Sequence, residues 1–390
     1  FALAGLVAAL TSYSYAKLSV RFPSEGGTVE FLNQAFGRGE VTGSLNVLLW
    51  ISYLVMLSLY SFACGSYGAS FFPVAAQPFW RHIILSAVIL LFTILNVLGA
   101  TFVGRAEKYI VAIKICILLL FIAVGFWFVD YQRLALSTWA SPLPLMAGGM
   151  IIFVAYEGFE LIANTAQDVK NPKKVLPRAY YSSVGFVIAL YIVVAIVTVG
   201  NLPLGKIVAA RDYALAAAAQ PFLGHFGFVL IAIAALLATS SAINATLYGS
   251  ARISYIIAKE GELPANLERK VWKRPIEGLI ITCGLSLLVA NLFDLSSIAT
   301  MGSAGFLLIF AAVNAANVRL RAKTESTKWV SALGAVLCLV ALAALIWQTA
   351  RISPKSILVL AVMFASAVLI ETIYRKVTGR QIKPIIEENQ

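Results

Sequence analysis

Apolar runs separated by short polar connections fill almost the whole chain. Eleven runs stand out, at roughly 1–20, 43–72, 82–100, 105–129, 143–167, 178–200, 223–256, 276–293, 295–318, 328–348 and 355–375. A helix of about 20 apolar residues crosses a hydrocarbon core of about 30 Å. The runs therefore predict an all-α polytopic membrane protein. None shows the period-two alternation of an outer-membrane barrel strand. The three longest connections, 21–42, 201–222 and 257–275, each leave room for a short interfacial helix.

One run breaks its own pattern. Met150 to Gln167 begins as an apolar helix, then places Tyr156-Glu157-Gly158-Phe159-Glu160 where hydrocarbon is expected. A charged side chain at that depth costs about 2.5–3.5 kcal/mol on the mildest scale. A segment that tolerates it faces protein or a water-filled cavity. Gly158 permits an unwound turn, whose free carbonyls can receive an ammonium group. The run is expected to be a broken helix that forms half of a transport site. Phe153, Tyr156 and Phe159 flank the break, either as packing or as lids over a substrate. Glu160 lies nearer the inner half and reads as a supporting residue.

Composition fits this picture. The 390 residues are 60% hydrophobic and 12% charged, more apolar surface than a soluble protein could cover. The net charge of +12 does not point to nucleic acid, because the basic residues cluster in short connections. There they match topology and anionic lipid headgroups. If the loop at 168–178 is cytoplasmic, 23 of the 30 Lys and Arg residues fall inside and six outside (Arg81, Arg133, Lys206, Arg211, Arg351 and Lys355), with Lys114 left within a span. This bias predicts a cytoplasmic C-terminus in a plasma or inner membrane. Eleven spans then put residue 1 on the outer side. Phe1 already lies in an apolar run with no leader before it, so at least one upstream span is expected.

Cys64, Cys116, Cys283 and Cys338 sit inside apolar runs and read as small core residues, not as metal ligands. His82 and His225 lie at run ends, away from the midplane. No Gly-x-Ser-x-Gly, His-Glu-x-x-His or paired intramembrane aspartates appear, which argues against an enzyme. No cofactor is expected.

Depth ties three polar features together. On a rise of about 1.5 Å per residue, Lys114 is about 14 Å beyond Arg105. Glu157 is about 16 Å before Asp168, and Thr239, Ser240 and Ser241 are about 16–20 Å before Arg252. Three spans thus bring polar groups to one level. Lys114 is too central to reach the interface easily. Burial disfavours its ammonium form, so it is a candidate proton switch. The three hydroxyls could instead bond their own helix or allow close packing. Glu371, four residues before Arg375, reads as an ordinary surface pair.

These residues resemble the amino acid–polyamine–organocation transporters, most closely the prokaryotic proton-coupled amino acid permeases. The resemblance rests on Arg21-Phe-Pro-Ser-Glu-Gly-Gly, Gly104-Arg-Ala-Glu with Lys114, Phe153-Val-Ala-Tyr-Glu-Gly-Phe-Glu, Asn171-Pro-Lys-Lys with Pro177-Arg178, and Asn244-Ala-Thr through Lys259-Glu-Gly-Glu-Leu-Pro. Each piece is short; their order and spacing are specific. The resemblance implies a LeuT-like fold of twelve helices, eleven of them visible, with two inverted five-helix repeats. Residues 1–130 would be the first repeat without its first helix, 142–319 the second, 327–376 two further helices and 377–390 a cytoplasmic tail. It also implies that Lys114 takes the place of the sodium ion held by helix-eight hydroxyls in sodium-coupled relatives. The family's glycine-rich first broken helix has no counterpart here, so half of the substrate site would be absent.

The expected function is import of amino acids by proton-coupled alternating access. Phe153, Ala155, Tyr156, Glu157, Gly158 and Phe159 would bind substrate, and Lys114 with Thr239, Ser240 and Ser241 would couple it to protons. An amino acid or polyamine exchanger on the same fold is the nearest alternative. A non-transporting receptor or a channel is the alternative of another class. Substrate identity and oligomeric state are not legible.

Overall fold

A computed structural model of the chain describes residues 1–98, 101–259 and 276–378. In hydrocarbon every backbone N–H and C=O must be satisfied within the segment, so these apolar runs become helices. In chain order they are α1 (Ala2–Arg21), α2 (Thr28–Phe36), α3 (Glu40–Ala69), α4 (Gln77–Leu98), α5 (Thr101–Gly125) and α6 (Pro142–Ile151). There follow α7 (Pro172–Asn201), α8 (Leu204–Ala210), α9 (Ala214–Lys259) and α10 (Ile276–Leu292). The last four are α11 (Leu295–Arg319), α12 (Arg321–Thr324), α13 (Lys328–Ile352) and α14 (Pro354–Thr378).

Among the described residues, nine segments are long and apolar enough to cross a membrane. The hydroxyl-rich α1 is not among them, and α10 has 17 residues. The connections at 21–42 and 201–222 hold α2 and α8, as their length allowed. The expected helix in 257–275 falls largely on residues 260–275, and the tail largely on 379–390, both outside the described residues. So does the Glu-Gly-Glu-Leu-Pro end of the last family motif. The run expected from 223 starts at a real discontinuity, for Gly224 (φ 62°, ψ −156°) kinks α9 there.

The core forms around α3 and α11. Of their apolar windows 78% and 72% are buried, against 11% for α5, which is peripheral. Small residues let the two central helices approach. A Cβ on Gly305 would lie 2.3 Å from Ser52 Oγ, so only glycine fits this crossing. Hydroxyls crosslink α3 to α10, where Ser58 Oγ donates to the Ser286 carbonyl and Ser286 Oγ to the Leu54 carbonyl, each at 3.0 Å.

A second buried polar network joins α1, α11 and α13. Asn314 accepts from Ser14 Oγ at 2.7 Å and donates to Thr11 Oγ1 at 3.0 Å. Ser14 Oγ also lies 3.0 Å from Ser331 Oγ, which accepts from Asn317 at 2.8 Å. Removing one member strands the rest, at about 1–3 kcal/mol per unsatisfied group. Asn314→Leu is therefore expected to lower the midpoint of thermal unfolding in detergent. An unchanged midpoint would mean that the network does not hold these helices together.

Two sequence expectations need correction. Cys64, Cys283 and Cys338 are buried, but Cys116 is exposed on the outward face of α5. Glu371 is not part of a surface pair. It is 1% exposed and accepts Arg375 Nη2 at 2.7 Å and Nε at 2.9 Å. Gly43 of α3 makes room, since a Cβ there would meet the Glu371 carboxyl at 2.4 Å.

Candidate functional site

After α6 the helix tightens into a 3₁₀ turn over Ile152–Tyr156, then breaks. Glu157 is extended (φ −70°, ψ 157°) and Gly158 is left-handed (φ 113°, ψ −25°). A second 3₁₀ stretch, Phe159–Asp168, follows. The expected broken helix is present, centred on the glycine between the two carboxyl residues.

Two side chains satisfy the backbone groups that the break frees. Ser303 of α11 accepts from the Val154 N–H at 3.0 Å and donates to the Ile151 carbonyl at 2.9 Å. Glu160 Oε2 accepts from the Gly158 N–H at 2.7 Å. A carboxylate there complements the positive end of the second half-helix. Glu160 thus supports the turn. Ser303 was not legible in the sequence, because a serine in an apolar run carries no sign of the chain segment it will meet.

Glu157 differs from Glu160. Both of its carboxyl oxygens are shielded, and neither has a hydrogen-bond partner among the described residues. Its electrostatic neighbours are Glu160 and the phenol of Tyr60 on α3. An unpaired buried carboxyl group is costly and is suited to a cationic partner that comes and goes.

The aromatic residues divide. Phe153 is fully buried against Phe310 at 5.9 Å between ring centroids. Phe159 packs on Phe310 at 5.2 Å and Tyr15 at 5.6 Å. Both rings belong to the aromatic core between α1 and α11. Tyr156 is also buried, but its hydroxyl donates to the Phe1 carbonyl at 3.0 Å and its ring lies 5.4 Å from Tyr191, away from Phe310. Ala155 is partly exposed beside it.

Lys114 on α5 reaches α9, where its Nζ donates to Ser241 Oγ at 3.5 Å. Ser241 in turn donates to Glu107 Oε1. Glu107, the acid of the Gly104-Arg-Ala-Glu motif, has no assigned role in the sequence, although it precedes Lys114 by seven residues and hence shares its helix face. The other two hydroxyls point elsewhere. Thr239 bonds the Ala235 carbonyl of its own helix at 2.8 Å, and Thr239 and Ser240 face Cys64 of α3. Among the described residues no hydrogen bond or ion pair joins Lys114 to Glu157. They are linked through α9, which packs on both α5 and the Phe159–Asp168 half of the broken element. At the far end of that half, Arg252 of α9 bridges Glu25 at 2.9 Å and Asp168 at 3.5 Å.

An all-helical membrane bundle with a discontinuous span, whose break faces a buried carboxyl group, has the organisation of a membrane transporter. The chain belongs to the amino acid permease family, which it matches over residues 1–368. It is 37% identical over 384 residues to an uncharacterised protein of Methanocaldococcus jannaschii, covering 97% of this chain and 88% of that one. It is 33% identical to the inner membrane transport protein YbaT of Escherichia coli strain K12, over 89% of this chain and 81% of that one. It is 25% identical to the branched-chain amino acid permease BcaP of Bacillus subtilis strain 168, over 83% and 73% of the two chains. The protein is an integral membrane amino acid transporter and not an enzyme.

Proposed function

We propose that this transporter imports amino acids by alternating access, driven by protons. The observation that carries the coupling is the contact of Lys114 with Ser241, a cation on a peripheral helix held by a hydroxyl of α9. Protonation of Lys114 sets the strength of that contact, and so the docking of α5 on α9. The carbonyls freed around Phe153–Glu157 receive the substrate ammonium, with Ala155, Tyr156 and Gly158 lining the break and Phe153 and Phe159 backing it. Arg252, bridging Glu25 and Asp168, closes the inner end. This reading keeps the C-terminus cytoplasmic, the broken element in the second of two inverted repeats, and anionic headgroups at the basic inner loops.

The test is uptake into proteoliposomes with an imposed pH gradient. Accumulation is expected when the outside is acidic, with no need for sodium. Sodium-dependent uptake that ignores the pH gradient would sink the proton mechanism. A second reading is favoured by one observation, the unpaired Glu157 carboxyl group. It suits exchange of substrates carrying an additional amine, such as cationic amino acids or polyamines. Uptake that requires a preloaded counter-substrate would establish it.

A further inference from the structure

A separate cavity of about 570 Å³ opens at the end of the bundle opposite Arg252 in our proposed topology. Its size is within the range of about 300–1,000 Å³ typical of small-molecule sites. Its walls come from α3 (Phe62), the start of α4 (Arg81, His82), the turn ahead of α9 (Arg211, Asp212) and the α10–α11 corner, including Asp294. Both signs of charge converge on one small space, whereas most of the bundle's surface is apolar.

Several of these groups are incompletely engaged. Arg81 lies 3.6 Å from Asp212 and stacks over Phe62 at 4.7 Å, yet its Nε is buried without a hydrogen-bond partner among the described residues. Asp212 also accepts from Ser66 Oγ at 3.2 Å. Asp294 accepts from Ser297 Oγ at 2.6 Å through Oδ1. The Arg211 side chain makes no hydrogen bond or ion pair among the described residues, while its backbone N–H donates to the Ile207 carbonyl. Its backbone is held at φ 42°, a conformation unusual for a residue with a side chain. Strain of that kind collects at functional sites. His82, also on the wall, is held by Asn291 at 2.8 Å.

We propose that this cavity is an outer capture site for the amino acid backbone shared by all substrates. Arg211 and the guanidinium of Arg81, which both line the cavity, receive the carboxylate, and Asp294 receives the ammonium. Arginine recognises carboxylates through directional, charge-assisted bonds. The site reads the zwitterion and not the side chain, so it raises the local substrate concentration without setting specificity. This inference rests on the transport reading and on the outer placement of Arg81 and Arg211.

Arg211 and Asp294 are exposed, so their replacement should leave the fold intact. The test measures initial uptake of tritiated alanine, leucine, glutamate and lysine by the full-length transporter in proteoliposomes. Arg211→Ala and Asp294→Asn are each expected to raise KM about tenfold for every transported probe with little change in maximal rate, as losing one charge-assisted contact implies. Arg211→Lys should restore part of the loss. A merely structural role would lower the maximal rate and the amount of folded protein instead. An unchanged KM in a wild type that transports overturns the capture site and leaves the transport reading standing. Failure of the wild type to take up any probe overturns both.

Discussion

Lys114→Ala is expected to uncouple uptake from the pH gradient. The only cation deep in an expected span meets α9 at a single hydroxyl, Ser241, at 3.5 Å. Hydrogen bonds to charged groups are worth about 1.5–3 kcal/mol, which corresponds to about a 10- to 150-fold change in the equilibrium they control. Gradient-driven accumulation should fall by that order, while substrate exchange between preloaded vesicles persists. Three companion variants locate the effect. Ser241→Ala should weaken coupling, because it removes the acceptor of the Lys114 ammonium. Glu107→Gln should do so less directly, through Ser241. Thr239→Ala should leave coupling intact, since its hydroxyl bonds its own helix. Coupling that survives Lys114→Ala, or that fails equally in Thr239→Ala, would remove Lys114 and Ser241 from the mechanism.

The second large effect is expected at Gly158. Its φ of 113° lies where residues with a Cβ are strained, by about 1–3 kcal/mol. Among the described residues, no atom other than its chain neighbours' lies within 4 Å of where that Cβ would stand. Gly158→Ala therefore changes backbone preference alone. It should shift the break towards continuous helix and lower uptake by about 5- to 150-fold, the factor equivalent to that strain. Gly158→Asn should retain more activity than Gly158→Ala, because asparagine enters the left-handed region more readily. Equal uptake by wild type and Gly158→Ala would show that the unwound turn is not needed.

Much of this molecule can be read directly from the order of its residues. The thickness of a bilayer sets the length of an apolar helix, so the spans follow from run length. Hydrocarbon penalises charge, so Glu157 and Glu160 around a glycine mark a break by their type and spacing alone. Lys114 stands out by the same rule. These inferences need only the solvent and the local chain.

Other features depend on what comes alongside. Three consecutive hydroxyls divide around α9, Thr239 and Ser240 facing α3 and Ser241 facing α5, and only the packing against α5 selects Ser241 as the partner of Lys114. Glu371 looks like a surface acid until Gly43 opens space for it in the core. Ser303 meets Val154 across 149 positions of sequence, and Arg211 meets Arg81 and Asp294 only where three separate connections converge. The membrane spans, the broken helix and a lysine within an apolar run were thus written into the residue order, because burial in hydrocarbon acts on each residue in turn. Which polar groups are paired and which stay free was left to the packing of the helices, because a hydrogen bond depends on the position of both its ends.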